Sequence, residues 1–368
     1  MRSGFVSILG RPNAGKSTLL NALIGEKIAI VTSKPQTTRN RIHGILEVPA
    51  HKGKHPAAQI VFVDTPGVHR SGSVLARRMM QEVHDALETR DIVVLMVDAS
   101  RKLELSEAVE HPAAEGESTR PRKVETEDEF TLELVRKLDC PVFLVINKID
   151  LITRETLAPL IARLSALHNF TQVIPISARK RQGLDMLVDK LVEYLPQGER
   201  YFPKDQFTDQ PERFLVAELI RERILMETGE EVPYASAVVV ERFEEPPPQP
   251  PAKPGKSRTT QKLPLTRISA AIYCERDGQK AILIGKGGSK LRSIGASARK
   301  EIEALLGTRV YLELHIVVEE NWRESRGFIE TLDWRNQLEA LATKQADQPA
   351  GDSHDETKES VEGEGDEK

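Results

Sequence analysis

The octet Gly10-Arg11-Pro12-Asn13-Ala14-Gly15-Lys16-Ser17 has the residue types and spacing of a polyphosphate cradle. Glycines let the backbone N–H groups close around an anion, Lys16 can reach the β and γ oxygens, and the Ser17 hydroxyl can hold magnesium. The apolar run 5–9 precedes the octet, and Leu19, Leu20, Ala22 and Leu23 follow it at helical spacing. The loop therefore joins a strand to a helix N-terminus, whose partial positive charge adds to the attraction for phosphate. A nucleoside triphosphate is the expected ligand.

Three more segments name the nucleotide. Asp64-Thr65-Pro66-Gly67 ends an apolar run, which brings a carboxylate near the metal and a glycine N–H near the γ-phosphate. Asn147-Lys148-Ile149-Asp150 ends another. Asp150 can accept from guanine N1–H and the exocyclic amine, a donor pair that adenine lacks. Ser177-Ala178-Arg179 supplies a short loop for the guanine O6. The four segments in this order, each after a strand, predict a GTP site.

Strands expected at 5–9, 42–48, 59–63, 92–97, 142–146 and 173–176 alternate with helical patterns. Several are continuous β-branched runs, as in a mostly parallel sheet covered by helices on both faces. The fold class expected is α/β: a doubly wound P-loop GTPase domain over 1–195, with its ligand loops at the C-terminal strand ends. Residues 49–56 read as a loop between adjacent strands, and 103–128 as a polar surface excursion. A linker over 196–209 leads to an α+β domain over 210–330. A short helical extension, 331–346, and a disordered acidic tail, 347–368, complete the chain.

The second domain opens on a helix carrying Phe214, Ala217, Ile220, Ile224 and Leu225, then a strand at 237–240. A proline-rich insertion, 244–262, separates that strand from the next, at 267–273. Gly285-Lys286-Gly287-Gly288 then joins two apolar-faced helices, and a strand at 309–318 follows. A Gly-x-x-Gly loop between helices is the arrangement of KH domains, here of the second (type 2) topology, and it clamps about four nucleotides of single-stranded RNA. Lys286, Lys290 and Arg292 are the candidate phosphate contacts, and Arg299 and Lys300 could extend the basic surface.

The net charge of −4 averages unlike segments. The tail from Asp347 carries nine acidic residues and two lysines; removing its −7 leaves the body at +3, a mildly basic surface. Two cysteines, Cys140 and Cys274, make no disulfide framework and fit a reducing compartment. The first strand begins near residue 5 and no apolar run reaches the roughly 20 residues that span a bilayer, so neither a secretory leader nor a membrane helix is expected. A cytoplasmic monomer is the expectation.

Residues 1–195 resemble the translation-factor-related small GTPases. Residues 4 to about 330 resemble, within them, the Era family of bacterial GTPases with a C-terminal KH domain. The resemblance rests on Gln36-Thr37-Thr38-Arg39, Asp64-Thr65-Pro66-Gly67-Val68, Arg213-Phe214, Val232-Pro233-Tyr234 and Ile284-Gly285-Lys286-Gly287-Gly288. It implies that Ser17, Thr38 and Asp64 hold magnesium, with Thr37 a close competitor for Thr38, and that the segments 36–41 and 64–70 are switches. Val68 stands where Ras-like enzymes carry the glutamine that orients the attacking water, so slow intrinsic hydrolysis is implied. Relatives with that substitution use an asparagine of the phosphate loop and a potassium ion, which makes Asn13 catalytic beside Lys16 and Thr38. The implied partners are GTP and GDP, the small ribosomal subunit and its RNA near the 3′ end, and, peripherally, the inner face of the cell membrane. The linker 194–209 would then transmit the nucleotide state to the RNA surface. Two other readings stay open: a constitutive RNA-binding protein with a structural nucleotide, and a GTPase acting on transfer RNA or the large subunit.

Overall fold

The computed structural model describes residues 1–68, 72–102, 126–229, 231–246 and 264–339. Residues 69–70 of the expected second switch, the polar excursion as far as residue 125, the proline-rich insertion beyond residue 246, residues 340–346 and the acidic tail lie outside them.

Six strands form the first sheet: β1 (Arg2–Leu9), β2 (Ile42–Val48), β3 (Ala58–Asp64), β4 (Ile92–Asp98), β5 (Val142–Asn147) and β6 (Gln172–Pro175). Their spatial order is β2-β3-β1-β4-β5-β6, with β2 antiparallel to β3 and the other neighbours parallel. The apolar runs read as continuous because both faces are covered, yet successive side chains part company. Val94, Met96, Phe143 and Val145 pack with helices α1 (Lys16–Ile24) and α5 (Leu184–Tyr194). Val93, Leu95, Leu144 and Ile146 pack on the opposite face with α2 (Val74–Glu88), α3 (Glu127–Arg136) and α4 (Arg154–Ser165). This wrapping brings the C-terminal ends of β1, β3, β5 and β6, and the four sequence motifs that follow them, to one edge.

The expected excursion over 103–128 is shorter at its C-terminal end. Residues 126–128 start α3, because the Thr126 side chain caps the Glu129 N–H while Glu129 reaches back to the Thr126 N–H. That reciprocal pair satisfies two donors a helix start otherwise leaves open.

The second sheet has the order β7-β8-β9, from β7 (Ala237–Glu244), β8 (Leu265–Cys274) and β9 (Arg309–Val318). β7 and β8 are antiparallel, and β8 and β9 parallel. One face is covered by α6 (Glu212–Glu227), α8 (Asp277–Ile284) and α9 (Ser289–Leu306), which pack Ile220, Ile224, Leu283, Ile294, Ala298 and Ile302 into one core. A short helix, α7 (Val232–Ala235), precedes β7. Strand β7 runs four residues beyond the expected 237–240, since a bulge between Val240 and Arg242 lets it keep pairing with β8.

Helix α6 buries residues on more than one side because it serves two cores. Phe214 and Leu215 join the core of the first sheet, while Val216, Leu219 and Ile220 join that of the second. Residues 196–209 run along the first domain instead of hanging free. The Gln59 amide accepts from the Tyr201 and Phe202 N–H groups and donates to Phe202 O, and Ile45 N–H donates to Phe207 O. After β9, a turn at Trp322–Glu324, helix α10 (Arg326–Thr331) and helical residues 334–339 fold back over α2. There Leu75 and Met79 meet Trp322 and Ile329.

Candidate nucleotide site and RNA-binding loop

The phosphate loop is held by its neighbours. Gly15 has φ 101°, and a Cβ there would lie 2.3 Å from Asn147 Nδ2, so a glycine is required on both counts. The same Asn147 amide donates to Ala14 O at 2.9 Å, and its Oδ1 accepts the Ala178 N–H at 3.0 Å. One side chain therefore fastens three motif loops together. Helix α1 begins at Lys16 with no side-chain cap, leaving its first N–H groups directed at the loop.

Lys16 is buried, with Nζ 3.0 Å from Gly10 O and 3.1 Å from Arg11 O. Burial pulls its pKa down to about 8, against the pull of Asp64 in the other direction. Burial likewise pushes the Asp64 carboxyl above its usual range, opposed by Lys16 and by hydrogen bonds from Ser17, Thr38 and Thr65.

Three oxygens converge beside this lysine. Ser17 Oγ donates to Asp64 Oδ2 at 2.6 Å and lies 3.0 Å from Thr38 Oγ1, and Thr38 Oγ1 is 3.4 Å from Asp64 Oδ2. Asp64 Oδ1 is buried with no hydrogen-bond partner. A fully buried carboxylate with an unsatisfied oxygen, next to two hydroxyls, is a donor set that fits a hard divalent cation. The Thr37 hydroxyl turns elsewhere, to Thr32 Oγ1 at 2.8 Å and Lys34 O at 2.7 Å.

The remaining motif residues have assigned contacts. Asn13, at φ 63°, donates to Ser33 O at 2.8 Å. Arg11 pairs with Asp128 at 2.9 Å and Glu127 at 3.4 Å, both of α3. Thr65 Oγ1 donates to Ile8 O, and Gly67 packs on Pro12. Val68 is fully buried with Leu9 and Val83, so it presents no polar group to a water. Lys148 pairs with Asp98 at 2.7 Å, and Asp150 Oδ1 accepts from Ser177 Oγ at 2.6 Å. Arg179 lines the same cleft as Asp150 and Lys148.

The RNA-loop candidates separate. Gly285, Gly287 and Gly288 all have positive φ, and a Cβ on Gly285 would meet Lys290 Cβ at 2.7 Å. Lys286 is exposed at the tip. Arg292 donates to Gly287 O at 2.9 Å, bracing the loop. Lys290 points away from it, to Glu227 O at the end of α6, 2.7 Å away.

The residues that pattern reading missed lie between the domains. Arg39, only 8% exposed, donates to Ser236 O at 2.8 Å and to Pro233 O and Tyr234 O at 3.3 Å. Arg221 donates to Thr37 O, and buried Glu222 accepts the Val31 N–H at 2.9 Å and a Lys27 ammonium at 2.5 Å. Helix α6 carries charge along its whole length, so its sequence does not mark Arg221 and Glu222 as the buried ones.

Comparison with known proteins finds two families along the chain. Residues 5–148 match the family described as 50S ribosome-binding GTPase, and residues 258–323 match the KH domain family. A variant of Aquifex aeolicus Era bound to GDP·AlF4− is 37% identical over 91% of this chain and 99% of its own, with a TM-score of 0.75. Era in complex with MgGDPNP and nucleotides 1506–1542 of 16S ribosomal RNA gives the same identity, coverage and score.

Proposed function

The chain belongs to the Era family, GTPases with a P-loop α/β domain and a C-terminal KH domain, and we propose that it is a GTP-driven switch on small-subunit ribosomal RNA. It binds that RNA near the 3′ end and acts in rRNA processing and small-subunit biogenesis. The protein works in the cytoplasm as a monomer, and contact with the inner membrane face would be peripheral. No helix among the described residues is long and apolar enough to cross a membrane.

One observation carries the proposal: two adjacent residues face different domains. Thr38 directs its hydroxyl to Asp64 and Ser17, whereas Arg39 directs its guanidinium into the second domain. A change in what Thr38 binds is therefore a change in the backbone that positions Arg39. Loss of the γ-phosphate, which releases switch loops in GTPases generally, would reach the RNA domain through one peptide bond.

Within the site, Ser17, Thr38 and Asp64 would hold the magnesium ion, which neutralises charge on the β and γ phosphate oxygens. Lys16 and the α1 N-terminus supply further positive potential, in a buried setting where it acts strongly. The Asp150 carboxylate selects guanine, and Asn147 sets the distance between base loop and phosphate loop. Because Val68 is buried in the core, the attacking water depends on backbone groups, a partner or a potassium ion beside Asn13. Lys286 and the backbone of Gly285–Gly288 would take the RNA strand.

Sequencing RNA crosslinked to the protein in its GTP-analogue state tests the assignment. Enrichment of the 3′ end of small-subunit RNA is the expected result; enrichment of transfer RNA or large-subunit RNA would redirect it.

A further inference from the structure

The nucleoside end of the cleft, about 640 Å³, is not walled by the first domain alone. Alongside Asp150, Lys148 and Leu151 it is lined by Leu225 and Met226, from the last turn of α6. Met226 is 49% exposed and Leu151 62% exposed. Two large apolar side chains from different domains thus border one cavity whose polar groups are those of a guanine site. Leu225 is 1% exposed and backs Met226 from the core.

The last turn of α6 is held in place from both sides. Glu222, one turn earlier, accepts the Val31 N–H at 2.9 Å. Lys34 donates its ammonium to Thr228 O and, at 3.3 Å, to Gly229 O. These anchors flank Met226 along a helix rising about 1.5 Å per residue, so first-domain groups fix where it sits. From the other side Lys290, two residues beyond the Gly285–Gly288 loop, donates to Glu227 O. Ammonium groups at a helix C-terminus also meet its negative end, which strengthens both contacts.

We infer that Met226 is a nucleotide contact donated by the RNA-binding domain, covering the base and ribose of guanosine opposite Leu151. The inference rests on the base lying at Asp150, as proposed above. A purine offers polar edges, met by Asp150, and two flat apolar faces; a polarisable thioether suits such a face. Nucleotide release then requires the end of α6 to swing clear, and the Lys290 contact places the RNA loop one hydrogen bond from that event.

Release of radiolabelled GDP from the full-length protein at millimolar magnesium, chased with unlabelled GDP, tests it. Met226→Ala should release GDP about 10-fold faster, the lower end of what one methylene is worth in an apolar pocket because Met226 is half exposed, and Met226→Leu should restore the slow rate. Asp150→Asn should also accelerate release. Rates for Met226→Ala equal to the native protein, with Asp150→Asn fast, would overturn the inference and leave the base placement standing. An unchanged rate for Asp150→Asn would remove the base placement and the inference with it.

Discussion

The Arg39 guanidinium lies 5.5 Å over the ring of Trp322, a fully buried residue of the C-terminal segment, although Arg39 itself belongs to the loop before β2. Trp322 in turn donates its Nε1–H to Ala235 O at 2.9 Å. A cation from the loop before β2 thus packs into the second domain.

Replacing Arg39 by alanine removes one charged donor from the carbonyls of Pro233, Tyr234 and Ser236. Hydrogen bonds to a buried charged group contribute about 1.5–3 kcal/mol, so a loss of about 3 kcal/mol in urea-unfolding stability is expected. The more informative readout is RNA affinity with a GTP analogue against GDP. The two should become equal in Arg39→Ala; a difference of native size would mean that coupling runs elsewhere.

Lys16 makes GDP binding pH-dependent. Its pKa is lowered to about 8 in the folded protein, from 10.5. Above pH 8 the free site is increasingly uncharged, and a bound polyphosphate would restore the proton. Binding should therefore take up a proton, and log affinity should fall by up to about one per pH unit as pH rises from 8. The same depressed value means that burial of the cation costs stability below pH 8, a cost relieved between pH 8 and 10.5. Calorimetry in buffers of different ionisation heat measures the uptake; a heat independent of buffer at pH 8.5 would contradict it.

Glu82 of α2 is fully buried and meets Arg78 at 2.9 Å, Arg335 at 3.3 Å and Arg41 at 3.5 Å, tying the loop before β2 and the C-terminal segment to one carboxylate. Removing one partner of a buried ion cluster is costly, so Glu82→Ala should destabilise by about 3 kcal/mol. Limited proteolysis should cut faster within 325–339. Intact resistance there would show that the apolar contacts of Trp322 and Ile329 suffice.

At the RNA loop, Lys286→Glu should weaken single-stranded RNA binding about tenfold and reduce the salt slope by about 0.7, the value of one phosphate contact. GTP turnover without RNA should be unaffected. Lys290→Met should disturb RNA binding less than Lys286→Glu, since Lys290 is engaged at Glu227. The reverse ranking would make Lys290 the phosphate ligand.

Turnover should be faster in potassium than in sodium at equal ionic strength, and Asn13→Ala should abolish the difference. Val68→Gln should not substitute for the ion: the side chain is enclosed by Leu9 and Val83, and a buried amide without a partner would cost about 1–3 kcal/mol. Equal rates in the two salts would end the potassium proposal.

What the sequence determined by itself is local. The phosphate loop, the strand-end motifs and the Gly285–Gly288 loop were legible because backbone conformation, helix start and glycine requirement are set within a few neighbouring residues. Both strand sets were legible because apolar runs must be buried. Tertiary structure alone decided which of Thr37 and Thr38 turns to Asp64, that Lys290 holds α6 and not the loop face, and that residues 196–209 lie along β2 and β3. It also decided that Arg39 crosses into the second domain and that Met226 lines the same cleft as Asp150. Each of these depends on partners from tens to nearly 300 residues away, brought together when α6 buries its two faces in two cores, and no local pattern encodes such a meeting.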